Sequence, residues 1–323
     1  MLRQDPSRNV LVWHVHGSWM ESLVAGPHRY LIPFSGDERA RGLSGRTWPN
    51  AREVSVAQLR DAQVDVVIVQ NPQQISLTEQ WLGRRPGVDL PAIYLEHNAP
   101  RPSPIDSVHP MAERSDVPLV HVTDFNALMW DNGIAPTRVI SHGIHDPGPL
   151  YTGEIPSAAT MINEPSRRWR TVGADLLGAV SRHVPIDVWG IGTDELGSRV
   201  ATGSRVTGRG DLSAERLMVE VAQRAVYLHT ARWTSLGLSL IEAMFLGMPI
   251  VAVATTMAPL VVPPEAGIVS ADVEALGWAA EGFVADHDSA VAAGKAAREH
   301  ATSHFGIQRF LEQWNRLIEE VCR

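Results

Sequence analysis

The stretch TSLGLSLIEAMFLGMPIVA, from Thr234 to Ala252, decides how the chain is read. It opens as a loop and becomes a helix. Gly247 and Pro249 stop the helix, as a left-handed cap followed by a ring that cannot continue it would do. A β-branched apolar run, residues 249–254, comes next and has the composition of a buried strand. Another such run, AVYLHT at 225–230, precedes the stretch. A strand, a helix and a strand in this order predict a parallel βαβ unit. Within the helix Leu238, Ile241 and Phe245 form an apolar stripe, and Glu242 lies within about half a turn of it. An ionised acid there is costly without partners.

Outward from this stretch the same alternation recurs. Towards the N-terminus, strands are predicted at 10–15, 64–70, 91–96, 118–123 and 137–143, with helices at 56–62, 77–83 and 124–133. Residues 142–157 (HGIHDPGPLYTGEIPS) carry Gly and Pro without periodicity, which is linker chemistry. The pattern restarts with strands at 158–164 and 186–192 and helices near 173–183 and 214–224. Phe310, Trp314, Leu317 and Val321 then share one face of a terminal helix predicted over 305–321, and that face needs a surface to cover. The expected domains are 1–150, 151–304 and the helical tail 305–323.

The totals fit this plan. The chain has 323 residues, beyond what a single core usually holds. Its 28 basic and 36 acidic residues give a net charge of −8, against a general nucleic-acid binder. Cys322 is the sole cysteine, so no internal disulfide forms. The polar start MLRQDPSRN lacks the apolar core of a signal peptide. No run approaches the roughly eighteen apolar residues of a membrane span. A cytoplasmic protein is expected. No GxGxxG follows the first strand, and GxxxxGK[ST], HExxH and paired CxxC are missing, so no metal site and no dinucleotide or P-loop site is expected.

The opening stretch resembles the nucleotide-sugar motif of retaining GT-B glycosyltransferases, glycosyltransferase family four. That pattern runs E-x-F-G-L-x-x-x-E-A-M-A-x-G-x-P. Gly237, Leu238, Glu242, Ala243, Met244, Gly247 and Pro249 match it in register. The turn Glu265-Ala266-Gly267, the segment SHGIHDPG at 141–148 and TVGADLL at 171–177 resemble further family segments. His142 stands where Asn is usual. The resemblance covers the linker and most of the second domain. It implies two Rossmann-like, doubly wound parallel-sheet domains facing a cleft, with the C-terminal helix packing back on the first. It also implies transfer of a sugar from a nucleotide diphosphate sugar, which is substrate and not cofactor, to an acceptor that the sequence does not name. Nor does the sequence name the nucleotide base, the sugar or the oligomeric state.

Particular residues follow from the resemblance. Glu242 matches the acid that holds the ribose, where two vicinal hydroxyls donate to one carboxylate; the alternative is a structural acid. The first motif acid is replaced by Thr234, with one hydroxyl and no charge, and Leu236 replaces Phe. The amides of Ser235, Leu236 and Gly237 open the helix, and helix N-termini bind anions. In NEPSRRWRTVG (163–173) the family places an Arg and, five residues on, a Lys against the diphosphate. Arg167 matches the Arg, and Val172 occupies the Lys position. Arg170, with Arg168 beside it, is the substitute, since guanidinium groups grip phosphate in a two-pronged way; the alternative is a solvated loop. In the first domain Gly17 lets backbone approach a phosphate. His97 lies just past a strand end, where α/β sites gather, and resembles the family histidine near the donor sugar; packing is its alternative. His14, His16, His109 and His121 are weaker candidates. Arg39 to Arg46 is basic and expected to be a flexible solvated loop, with contact to anionic lipid or a phosphorylated acceptor as the second reading. Two rival functions remain. One is a GT-B epimerase or hydrolase, which calls for first-domain acids such as Glu21 and Glu96. The other is a nucleotide-binding subunit without catalysis.

Overall fold

A computed structural model describes residues 7–200 and 202–323, apart from the side chain of Ser198. The chain divides into two compact units. Unit 1 runs to Gly143 and is completed by Ile307–Arg323, and unit 2 is Ile144–Gly306. The boundary thus falls at Gly143, ahead of the expected residue 150.

Unit 1 begins with β1 (Asn9–Val12), α1 (Gly17–Val24), β2 (Arg29–Phe34) and β3 (Ala51–Ser55). It continues with α2 (Val56–Leu59), β4 (Val66–Val69), α3 (Pro72–Leu82), β5 (Ala92–Glu96), β6 (Leu119–His121), α4 (Asp124–Met129) and β7 (Thr137–Val139). The strands form a seven-stranded sheet in the order β3-β2-β1-β4-β5-β6-β7. Every pairing in it is parallel. Alternate residues go to opposite faces, and both faces are covered. Val10, Val12, Val66 and Ile68 enter one apolar cluster, and Leu11, Trp13, Val67 and Val69 enter another. This is why these strands are apolar throughout and do not alternate. Capping sets the helix limits. Asn71 accepts from the Gln74 amide at 3.0 Å, Pro72 opens α3, and Gly83 closes it with φ of 69°.

Unit 2 holds β8 (Ile155–Met161), a 3-10 turn at Ala174–Leu176, α5 (Leu177–Val180), β9 (Ile186–Trp189), a second 3-10 segment at Thr193–Ser198 and β10 (Val206–Gly210). Then come α6 (Ala214–Ala222), β11 (Arg224–His229), α7 (Leu238–Leu246), β12 (Ile250–Val253), α8 (Ala258–Val261) and a third 3-10 turn at Pro264–Ala266. β13 (Gly267–Ser270), α9 (Val273–Ala285) and α10 (His287–Phe305) complete it. Its six strands run β10-β9-β8-β11-β12-β13. In both sheets strand order reverses direction beside the first strand, between β1 and β4 and between β8 and β11.

The terminal helix, α11 (Ile307–Val321), belongs to unit 1. Phe310, Trp314, Leu317 and Ile318 are buried there with Trp19, Met20 and Leu23 of α1. Gly143 makes the seat: a Cβ at that position would lie 2.3 Å from the Phe310 Cβ. Phe305, placed by sequence in this helix, instead ends α10, and Gly306 separates the two. The helices and strands that went unassigned in the sequence are α1, β2, β3, β10, α8, β13, α9 and α10. In α1 the glycine and histidines around residue 17 read as a loop. β2 and β10 carry Pro, Arg or Gly inside the strand, which mutes the strand signal.

Candidate functional site

In open α/β sheets ligands bind beyond the carboxyl ends of strands, where strand order reverses. Each unit has such a place.

In unit 2 it lies beyond β8 and β11. Gly173 sets the approach of the β8 loop. It is left-handed, with φ of 70°, and a Cβ there would lie 1.9 Å from the Thr230 carbonyl oxygen. The Thr230 hydroxyl donates to the Val172 carbonyl at 2.8 Å, and the Arg232 amide donates to the Thr171 carbonyl at 2.9 Å. The loop is thereby fastened to the end of β11. From that end, residues 230–237 lead into α7, whose N-cap Gly237 supplies no side chain.

Glu242 projects from α7. It is half-buried and has no hydrogen bond or ion pair with any described residue. Burial raises its carboxyl from 4.5 to about 7. Tyr227 of β11 is within its electrostatic reach: the phenol is pushed up by burial first and by the Glu242 charge as a lesser cause. The Thr234 hydroxyl is also enclosed without a partner among the described residues. Ser235 and Leu236 are buried, Gly237 and Leu238 are half-buried, and His229 lies against Gly237, 2.9 Å from where a Cβ would stand. Burial lowers His229 to about 4, so a neutral imidazole meets the positive end of α7. The sequence had His229 inside the strand predicted at 225–230 and gave it no role; its place near the strand end was the available signal.

The arginines after β8 are individually matched. Arg167 Nε donates to Glu164 at 3.0 Å, and Arg170 to Asp175 at 2.9 Å. Both side chains are exposed, and Arg168 is half-buried. Arg232, unassigned in the sequence, grips the same Asp175 with both terminal nitrogens, Nη2 at 2.9 Å. So the loop is a set of exposed ion pairs and not a bare cationic array. Such pairs are worth about 0–1 kcal/mol each and exchange readily for a stronger anion. Val172, at the expected Lys position, is buried in the unit 2 core.

In unit 1 the reversal lies beyond β1 and β4. Gln70, after β4, donates through Nε2 to the Trp13 carbonyl at 2.8 Å. Its Oε1 therefore accepts from His97 Nε2 at 2.9 Å, which puts the His97 proton on Nε2. The His97 ring meets His16 edge-on at 4.3 Å and Trp19 at 5.3 Å. Burial holds His97 well below its ordinary range, with His16 and His142 adding to this. His142, past β7, is buried and lowered to about 4, and its Nδ1 has no partner among the described residues. Three imidazoles from three strand ends, His16, His97 and His142, are thus grouped here. Gly17, expected in a loop, is the first residue of α1, and a Cβ on it would lie 2.8 Å from Arg46 Nη2.

Of the remaining first-domain candidates, His109, His121 and Glu96 have partners within unit 1. His109 accepts from the Met111 amide at Nδ1 and faces Glu96 through Nε2 at 3.3 Å. His121 Nε2 bonds the Asn132 amide oxygen at 2.9 Å. Glu96 also accepts from the Asn98 amide, at 2.6 Å. Residues 39–46 are joined to the rest of unit 1 by hydrogen bonds. The Gly42 amide donates to the Pro33 carbonyl at 3.0 Å and the Leu43 amide to Glu53 at 2.9 Å, while His14 Nδ1 bonds the Gly42 carbonyl at 3.3 Å. Among the described residues no group of three metal-ligating side chains occurs, and no helix is long and apolar enough to cross a membrane.

Comparison with known proteins adds the following. Residues 202–300 match the family model for glycosyl transferases group 1, a span that includes Thr234 and Glu242. No curated protein sequence matches the chain. Among solved structures, sucrose-phosphate synthase from Thermosynechococcus elongatus superposes with a TM-score of 0.74 at 15% identity, over 97% of this chain and 99% of that one. HepE of Anabaena, in a complex with UDP, gives 0.73 at 14% identity, over 97% and 100%. A glycosyltransferase from Rickettsia africae gives 0.71 at 13% identity, over 98% and 99%. The fold is therefore GT-B: two α/β domains, each built on a parallel sheet.

Proposed function

We propose that this protein is a retaining GT-B glycosyltransferase that takes a sugar from a nucleotide diphosphate sugar. The observation that carries this reading is Glu242. It is an acid in a family-matched segment, at the end of a sheet where ligands gather, with no protein partner and a carboxyl raised to about 7 by burial. A pair of ribose hydroxyls supplies the two donors it lacks. That HepE and its UDP-glucose complex share the fold supports a nucleotide-sugar donor.

In this reading unit 2 holds the nucleotide and unit 1 the acceptor. Arg167 and Arg170 exchange their carboxylates for the diphosphate as it leaves, Arg168 stands beside them, and the amides of Ser235, Leu236 and Gly237 add helix-end donors. His97, neutral and fixed in one tautomer by Gln70, is suited to shape and position and not to supply a charge. The work of the protein is then positioning and leaving-group stabilisation.

Thr234 and Val172 favour a second reading, a nucleotide-binding subunit without catalysis, since both depart from the family pattern and Val172 is committed to the core. Titration calorimetry with UDP, GDP, dTDP and ADP, followed by product analysis with the matching sugar donors, separates the two. Tight binding with transferred sugar supports the enzyme. Tight binding without turnover on any donor supports the subunit. No binding of any nucleotide by wild type rejects both.

A further inference from the structure

Unit 2 has a cavity that the donor chemistry above does not use. Its volume is about 660 Å³, within the range that takes a small organic ligand. It runs along α5, from Trp169 in the loop after β8 to Ser181 and Arg182, and Arg199, Ser204 and Arg205 line it as well. Ser181 and Arg182 precede β9, and Arg199, Ser204 and Arg205 precede β10. Most of the lining thus lies towards the amino ends of these strands. The donor place lies beyond the carboxyl ends of β8 and β11.

The lining is unbalanced in charge. Arg199 donates through Nη1 to the Ser166 carbonyl, and its guanidinium lies 5.2 Å from the centre of the Trp169 ring. Arg205 donates through Nε to the Ser181 carbonyl at 2.8 Å and through Nη2 to the Arg182 carbonyl at 2.7 Å. Carbonyl oxygens fix a guanidinium in place and leave its charge, and neither arginine has an ion pair with any described residue. Arg182 is paired with Glu274. Asp175 is the one carboxylate among the described lining residues, and Arg170 and Arg232 already bond it. Two fixed positive charges therefore share a concave surface with a half-buried indole, and no acid in the lining is left to offset them. Capping the end of α5 accounts for Arg205 alone and leaves Arg199 and the cavity without a use.

We propose that this cavity binds a sugar phosphate, with its phosphate on Arg199 and Arg205 and its ring against Trp169. A phosphate monoester carries close to two negative charges at neutral pH and matches two guanidinium groups, which grip its oxygens in a two-pronged way. The C–H face of a sugar ring suits the apolar body of an indole. Ser204 and Thr202, both in the lining, carry hydroxyls of the kind that bond those of a sugar. The site is separate from the nucleotide place and does not rest on the glycosyl-transfer reading.

The test is calorimetry on the full chain with glucose 6-phosphate, glucose 1-phosphate and fructose 6-phosphate as probes, and with glucose and inorganic phosphate as controls. A sugar phosphate should bind more tightly than either control, since each control supplies half of the contact. Arg199→Ala should raise the dissociation constant of that probe about tenfold or more, as loss of a charge-assisted contact does, and Arg199→Lys should recover part of the loss. Trp169→Leu should weaken the sugar phosphate and leave inorganic phosphate as in wild type, which separates ring packing from charge. Binding should persist in saturating UDP. Displacement by UDP would assign these arginines to the donor and overturn the proposal. Unchanged affinity in Arg199→Ala would overturn it too, as would failure of all three probes to bind wild type. Equal affinity for sugar phosphate and inorganic phosphate would overturn the sugar assignment. If no nucleotide binds while a sugar phosphate still depends on Arg199, the glycosyl-transfer reading fails and this site stands.

Discussion

The two units share a sheet topology and differ in what they hold at its reversal. Unit 1 ends its strands in histidines that are neutral and largely tied to neighbours, His97 to Gln70 above all. Unit 2 ends its strands beside an acid, Glu242, that has nothing to bond, and beside a threonine hydroxyl in the same state. A polar group that is buried and satisfied belongs to the architecture. One that is buried and unsatisfied marks a place reserved for something else. Topology says where to look in both units, and the hydrogen-bond account says that they are built for different tasks. The units also differ in completeness: unit 1 needs α11 from the far end of the chain, and unit 2 is continuous.

The largest expected effect tests that last difference. Trp314→Ala removes a fully buried ring packed on Trp19 at 5.5 Å, and should cost unit 1 about 3–5 kcal/mol. Denaturation followed by tryptophan fluorescence and by nucleotide binding in parallel should show the first transition moving and nucleotide binding persisting. A common shift of both signals would mean that the units fold as one.

Next in size is Glu242→Gln, which sets function against stability. Its carboxyl titrates near 7 when folded and 4.5 when unfolded. Between these values the unfolded chain releases a proton that the folded chain keeps, so stability falls as pH rises from 4.5 through about 7 and is level above. The variant lacks this fall. Without ligand it should be more stable than wild type at pH 8, by roughly 3 kcal/mol. The same variant should bind nucleotide about 1.5–3 kcal/mol more weakly. Equal melting points at pH 5 and 8, relative to wild type, would mark Glu242 as an ordinary structural acid.

Thr234→Glu addresses the enclosed hydroxyl. It places a charge where a donor sugar is expected, and should shift kcat/KM between donors by about 1–3 kcal/mol with nucleotide affinity kept. Identical donor profiles in both proteins would remove Thr234 from the sugar site. The smallest effect concerns the arginines. Arg167→Ala and Arg170→Ala should each weaken nucleoside diphosphate binding by about 1 kcal/mol and leave nucleoside binding alone, because each gives up an exposed ion pair to make the new contact. Equal effects on nucleoside and diphosphate would show that the loop acts through Asp175 and the fold of the loop.

Much of the fold was legible from local chemistry. Apolar runs such as residues 66–69 and 250–253 announce buried parallel strands without reference to anything distant. Glu242 was legible as well, because an acid beside an apolar stripe is anomalous within a single turn of helix. The α1 helix was not, since HVHGSWMES carries loop-like residues at its start and draws its helical stability from Trp314 and Phe310, nearly three hundred residues later in the chain.

By itself the sequence determined the alternation of strand and helix, the break before β8, the apolar face of α11 and the register of Glu242. Each is a property of a short window, governed by backbone preference and side-chain periodicity. The tertiary structure decided the rest. It put α11 on unit 1 through the space left by Gly143, and gathered His16, His97 and His142. It matched Arg167 and Arg170 to separate acids and laid Arg46 on Gly17. These depend on which side chains, distant in sequence, share a few ångströms of space, and burial and hydrogen bonding at that range follow from packing that no local window contains.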